Sequence, residues 1–276
     1  MVSQLKKISP VNPVKPDFNY IKDVYEVCLE KYLANPKTVS SALRLIDHGR
    51  KILQYNEEVD TYIAFYGAQH YYKLIEAFNA LDMSIFRDQK LEIISYGCGA
   101  ATDACSLISY CRSKQINLPF NALILIEPSQ IALERGIQYI NQALYLEESK
   151  KIKINKVNKS LESLEENDIF SNSKITKLHV FSNILDLQEI NLQKLVSLLK
   201  NTQVETNYFI CISPKNYNGN QRIDTFYQNM SSAFNLSTIS TNNFNFKQRV
   251  WSMKNNRYVD DYSIDRYHKI FTAQIN

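Results

Sequence analysis

The 276-residue chain is predicted to be α/β: a doubly wound, mostly parallel sheet with an antiparallel hairpin at one edge, preceded by an α-helical N-terminal subdomain. Three observations predict this. From residue 91 onward, short apolar runs alternate with segments of helical period, the pattern of strands joined by crossover helices. Residues 91–111 (Leu-Glu-Ile-Ile-Ser-Tyr-Gly-Cys-Gly-Ala-Ala-Thr-Asp-Ala-Cys-Ser-Leu-Ile-Ser-Tyr-Cys) read as a strand, a glycine turn and a helix with Ala104, Leu107, Ile108 and Cys111 on one face. Before residue 90 there are helical stripes and no strand-like alternation. The expected division is an extended arm over 1–17, a helical cap over 18–88 and the sheet domain over 89–276.

Taken in order, the arm holds Pro10, Pro13 and Pro16 beside Lys6, Lys7 and Lys15, and that density of proline excludes helix and central strand. Ile21, Val24, Tyr25 and Cys28 form the first helical stripe, which breaks near Asn35-Pro36. A second helical segment starts near Ser40 and carries Leu43, Ile46 and Ile52. A third, 61–81, is crowded with Tyr62, Phe65, Tyr66, Tyr71, Tyr72 and Phe78. After the 91–95 strand and its helix, 121–127 is a continuous apolar run ending in Glu127, as expected of a strand buried on both faces. Ser129 is placed to cap the next helix, whose inner face is Leu133, Ile137, Ile140 and Leu144. Ile152, Ile154 and Val157 alternate with polar residues as a third strand. Residues 177–183 form a fourth and 207–213, halted by Pro214, a fifth, with a helix on Leu192, Leu195, Val196 and Leu199 between them. A last helix over 221–234 precedes strand-like pieces at 236–240, 246–253 and 268–273. These lie too close together for crossover helices, hence the antiparallel edge.

Composition narrows the class. With 45% apolar residues the chain can bury a sizeable core, which excludes global disorder. No run of about 18 apolar residues exists, so no membrane span is expected. The first ten residues lack a signal-peptide core, which points to the cytoplasm. Five cysteines without a Cys-x-x-Cys pair, and four scattered histidines, argue against a zinc site or a disulfide framework and for reduced thiols. A net charge of +4 is too mild to indicate a nucleic-acid partner.

The chemistry concentrates in the glycine turn. The chain has six glycines, well under the usual ~7%, and two of them, Gly97 and Gly99, fall within three positions. A glycine turn feeding a helix N-terminus offers free N–H groups and close backbone approach. Glu127 can accept hydrogen bonds from two vicinal ribose hydroxyls. In a doubly wound sheet both features converge on the crevice outside the carboxyl ends of the strands, where the strand order reverses. Together they indicate a nucleoside-containing cofactor. The dinucleotide fingerprint would need glycine or alanine where this chain has Thr102, and the P-loop's Gly-Lys-Ser/Thr is absent.

Ser-Tyr-Gly-Cys-Gly-Ala-Ala-Thr-Asp at 95–103, with Ile-Glu-Pro-Ser at 126–129, resembles the cofactor motifs of class I S-adenosylmethionine-dependent methyltransferases. The resemblance implies a Rossmann-like domain with S-adenosyl-L-methionine as cofactor. It places Ser95, Tyr96, Gly97, Cys98, Gly99, Glu127, Pro128, Phe181 and Ser182 around that cofactor. Gly97 and Gly99 would line its methionine and ribose portion, and Glu127 would hold the ribose diol. Asn158, Lys159 and Ser160 would flank the adenine, and Phe181, Ser182 and Asn183 would lie beside the methyl group and its acceptor. Two residues depart from the family pattern. Ala101 replaces its third glycine, and Ser95 stands where it keeps an acid near the cofactor's ammonium end. The lost charge-assisted contact is worth roughly 1.5–3 kcal/mol, about tenfold to a hundredfold in affinity. Asp103 and Glu92 are the candidates to compensate.

The acceptor is not written in a motif. There is no Asn/Asp-Pro-Pro-Tyr at the fourth strand and no Pro-Cys dipeptide, and Cys211 falls mid-strand. The acceptor class stays open between a small molecule and a macromolecule. Tyr66, His70, Tyr72 and Asn183 are the acceptor-binding candidates, with core packing as the competing role of the aromatics. Tyr66 and His70, four apart, share a helix face. Two readings follow. One is a methyltransferase transferring a methyl group by in-line displacement; the other is a catalytically degenerate methyltransferase fold serving as a binding or partner module.

Overall fold

The computed structural model describes residues 17–88, 90–171, 174–215 and 217–275; the arm expected over 1–17 lies, apart from Asp17, outside them. A π-helical turn, Ile21–Tyr25, runs into α1 (Glu26–Ala34), followed by α2 (Val39–Leu45). Next, α3 (Asn56–Tyr62) continues through a second π-helical turn, Ile63–Gly67, into α4 (Ala68–Asn79), and α5 (Ser84–Arg87) closes the helical segment. Strands and helices then alternate: β1 (Leu91–Tyr96), α6 (Thr102–Ser113), β2 (Phe120–Ile126), α7 (Gln130–Ala143), α8 (Leu146–Ser149), β3 (Lys153–Val157), α9 (Glu166–Ile169), β4 (Thr176–Ser182), α10 (Leu192–Thr202), β5 (Glu205–Ser213), α11 (Tyr217–Ala233), β6 (Asn235–Ser252) and β7 (Arg257–Ile275).

The seven strands form one sheet in the order β3-β2-β1-β4-β5-β7-β6. Strands β1 to β5 pair in parallel, and β7 runs antiparallel to both of its neighbours. The order reverses between β1 and β4, so the predicted crevice opens at their carboxyl ends. The three late strand pieces prove to be two long strands. Residues 237–245 (Ser-Thr-Ile-Ser-Thr-Asn-Asn-Phe-Asn) hide this because an edge strand exposed on one side needs little apolar alternation. Register shifts at Thr238/Ser240 and Gln248/Val250 bend β6 along the way.

Period-two alternation sends successive residues to opposite faces. Ile93, Leu123, Leu178 and Ile210 join the apolar cluster of the N-terminal helices, α6 and α7. Ile94, Tyr96, Phe181 and Phe209 join that of α10 and α11. Helices α6 and α7 follow β1 and β2; α4 packs on α6 and against β5 and β7. Leu74, Ala77 and Phe78 of α4 are buried in the same cluster as the sheet. The helical segment is therefore a layer of the core as well as a rim to the crevice.

Close approach of this layer depends on Gly67. A Cβ there would lie 2.9 Å from the Tyr20 hydroxyl oxygen. Tyr20, fully buried, stacks on Tyr71 at 5.4 Å and reaches the Thr102 hydroxyl at 3.2 Å. On the other face a buried polar line crosses three strands. Tyr96 Oη lies 3.0 Å from His179 Nδ1, and His179 Nε2 lies 2.9 Å from Asn207 Oδ1. The Asn207 amide nitrogen donates to the Val204 and Glu205 carbonyls. Its oxygen must therefore accept, so His179 donates from Nε2 and accepts the tyrosine proton at Nδ1. Among the described residues no helix is long and apolar enough to cross a membrane.

Candidate functional site

A cavity of about 370 Å³ opens at the carboxyl ends of β1, β2 and β4. Its floor is the glycine turn, one wall is Glu127, Pro128 and Ser160, another is Ser182, Asn183 and Ile184, and Leu53, Val59 and Tyr62 of the helical layer close its top. Segments far apart in sequence meet there: the reversal of strand order brings the strand-end loops together, and the helical layer covers them.

The floor is built by backbone conformation. Gly97 and Gly99 adopt φ of +63° and +53°, and Ala101 also lies in the left-handed region at +56°, just before α6. Left-handed backbone costs a non-glycine residue about 1–2 kcal/mol. Nothing stands within 4 Å of a Cβ built on Gly99, which faces open space. Gly97 differs: a Cβ there would lie 2.7 Å from Ile184 Cδ1, so the close approach it permits is to a protein side chain.

Glu127 ties the floor to the wall. The Gly99 N–H donates to its Oε2 and the Ser129 N–H to its Oε1, both at 2.9 Å. Burial raises its pKa above the ordinary carboxylate value, and these two N–H groups counter part of that rise. A carboxylate offers about four acceptor positions, so two remain for a ligand's hydroxyls. Ser129 also caps α7 through Ala132 and donates its hydroxyl to the Leu53 carbonyl, which fixes the cavity's top to the end of β2. Asn158 donates to the Glu127 and Pro128 carbonyls and so holds the turn of that wall. Lys159 points to Glu165 and Asp168 instead.

Ser95 is fully buried and donates its hydroxyl to Asp103 Oδ2 at 2.6 Å. A carboxyl group does stand next to position 95, supplied by the first turn of α6. Burial pushes Asp103 up to about 7, against the lowering effect of the serine hydroxyl. Glu92 is no substitute: it lies at the amino end of β1, level with Lys177 of β4, and accepts from the Ser171 hydroxyl.

Several expected site residues lie elsewhere. The Tyr96 ring is in the core, stacked on Phe181 at 4.1 Å, and Phe181 itself packs on Phe226. Both point away from the cavity because they follow the strand alternation onto the α10–α11 face. The Cys98 thiol is buried in the opposite cluster, and desolvation pushes its pKa well up. Tyr72 faces the hairpin side of α4, where it meets Tyr71 and feels the charges of Glu26, Tyr258 and Arg249. Tyr66 and His70 do share a face, their rings stacked at 5.9 Å and 12°. Tyr62, which sequence reasoning treated only as one of a stripe of aromatics, connects them to the cavity, 5.3 Å from Tyr66 and 5.9 Å from His70. The spacing 62, 66, 70 was the available signal.

Sequence reasoning also passed over Lys73. Its side chain is buried, 3% exposed, and donates from Nζ to Asn183 Oδ1 at 2.5 Å. The Asn183 amide nitrogen donates to Ser182 Oγ, which fixes the orientation of the amide. Burial drops the Lys73 amine to about 7 while Asp186 and Asp265 oppose the fall. Nothing in a single sequence marks a lysine as buried.

No protein-family model and no curated protein matches the chain. Solved structures similar to it include a precorrin-6y C5,15-methyltransferase of Geobacter metallireducens, 10% identical over 82% of this chain and 92% of that one, TM-score 0.43. Another is the plantazolicin methyltransferase BpumL in complex with SAH, 10% identical over 92% and 96%, TM-score 0.42. A third is a SAM-dependent methyltransferase of Leishmania major, 11% identical over 92% and 86%, TM-score 0.41.

Proposed function

We propose that the cavity binds S-adenosylmethionine and that the protein transfers its methyl group to an acceptor. The observation that carries this reading is the Gly99 N–H to Glu127 contact. It joins the glycine turn and the strand-end carboxylate into one ligand-facing surface at the switch point, beside the open space over Gly99. The residues fit the nucleoside part of the cofactor: Glu127 keeps free acceptor positions for a ribose diol, and Ser160 and Pro128 flank the adjoining wall, while Ser95 and Asp103 bond each other and do not line the cavity. When bound, the sulfonium supplies an activated methyl group, and the chain's part is to orient the acceptor in line with it. Calorimetry with S-adenosylmethionine and S-adenosylhomocysteine tests the reading. Micromolar or tighter binding is expected, and Glu127→Ala should weaken it at least about tenfold. Absence of binding heat with both ligands would sink the proposal.

One observation favours a second reading. Ile184 fills the space above Gly97, where the resemblance places the methionine portion. A site filled in this way suits a fold that keeps its architecture and serves as a binding module. Ile184→Ala separates the two: it should tighten cofactor binding if the isoleucine obstructs the site. Affinity unchanged by that substitution removes the argument for a filled site.

A further inference from the structure

Lys73 carries an amine from the helical layer to the end of β4. Its amine donates to the side-chain amide oxygen of Asn183, and Asn183 lines the cavity. One turn earlier on the same helix, His70 stands half-buried between Tyr62 and Tyr66, and no described residue hydrogen-bonds its ring. Asp186, four residues beyond Ser182, has a buried Oδ1 without a hydrogen-bond partner, and its charge is felt by both Lys73 and Tyr62. The Lys73 amine thus stands directly behind Asn183 on the acceptor side of the crevice, with His70 and Asp186 as its electrostatic neighbours. The groups acting on the amine are His70 on α4, Asp186 in the loop after β4 and Asp265 on β7. The two carboxylates favour its cation; burial outweighs them.

We propose that Lys73 is the base that takes the acceptor's proton, which makes the acceptor an amine or hydroxyl that reacts with its proton still attached. This rests on the methyltransferase reading. The nucleophile's lone pair forms the bond to the methyl carbon, the carbon–sulfur bond breaks, and its electron pair stays on sulfur. The nucleophile's proton passes to the Nζ lone pair, and the resulting ammonium keeps its bond to Asn183 and is stabilised by Asp186. A base that is neutral near pH 7 suits this step, because proton transfer is most effective when the pKa lies near the working pH. A thiolate or a tertiary amine acceptor would have no use for it.

The test needs no known acceptor. The full chain, labelled with 15N-lysine, is titrated by NMR in saturated complexes with S-adenosylmethionine and with S-adenosylhomocysteine. Lys73→Arg assigns the resonance, and Asn183→Asp, which perturbs the bonded amine, assigns it independently. The two ligands differ by the methyl group and one positive charge. If the amine faces the methyl, its midpoint lies near neutrality and falls by about half a unit or more with the sulfonium ligand, since two neighbouring cations repel. A buried lysine with a structural role only would give equal midpoints in the two complexes, and that result overturns the proposal. Failure of both ligands to bind, read by calorimetry on the same samples, overturns the methyltransferase reading and the role of Lys73 with it.

Discussion

Gly136 lies inside α7, where helix propensity alone favours alanine by about 1 kcal/mol. The contacts reverse that preference. A Cβ on Gly136 would lie 2.7 Å from the carbonyl carbon of Ala100 and from the nitrogen and Cβ of Ala101, backbone that the glycine turn holds in place. Gly136→Ala should therefore destabilise the protein by about 1–3 kcal/mol, measured by urea unfolding; a stabilised variant would show that the turn can yield. This residue had no signal in the sequence beyond being one of few glycines, because its partner lies about 35 positions away. Gly97, Gly99 and Glu127 were legible because motif chemistry is local: a turn, a helix start and a strand end. Tyr96, Phe181 and Tyr72 were misplaced for a physical reason. A motif identifies a position along the chain, and the face on which its side chain emerges is set by strand alternation or helix phase. Lys73 and the Ser95–Asp103 pair depend on burial, which is tertiary.

Among elements, β1, β2, β4, β5 and the helices between them matched their expected spans within a few residues, since buried parallel strands are continuous apolar runs. The C-terminal strands were broken into pieces by their polar outer stretch. What local reading could not supply is how neighbouring strands are matched chemically. The line Tyr96–His179–Asn207 is such a match, one polar residue from each of β1, β4 and β5, stepping two residues in register from strand to strand across an otherwise apolar face. Removing the tyrosine hydroxyl leaves His179 Nδ1 buried without a donor. Tyr96→Phe is expected to cost about 1–3 kcal/mol in chemical unfolding, although it conserves the ring and its stack on Phe181. A cost near zero would mean that the line contributes nothing beyond ring packing.

For the whole molecule, the buried titratable groups set the response to acid. Burial drops His179 and His268 each to about 4. Between pH 6.5 and 4 the unfolded chain binds their protons and the folded chain does not, so stability is lost as pH falls through that window. Asp103, pushed up to about 7, acts in the opposite sense. The folded state binds its proton below pH 7 while the unfolded state does so only near 4, so its contribution grows as pH falls. His70, also lowered by burial, acts with the two histidines, and Glu127, raised by burial, acts with Asp103. The three histidines outweigh the two carboxyl groups, and urea midpoints should decline from pH 6.5 to 4. Asp103→Asn removes its part of the offset while keeping an acceptor for Ser95, so its decline should be steeper than that of the unaltered chain; parallel curves would contradict the assignment. Chain topology adds a constraint of time. Strand β6 comes before β7 in the chain, yet β7 is its sole neighbour in the sheet and separates it from β5. Only four residues join the two strands, and so short a connection closes at little entropic cost. The pair is then a ribbon that can zip from its turn before either strand meets β5. During assembly β6 has nowhere to wait on the sheet: its place is created by the strand made after it.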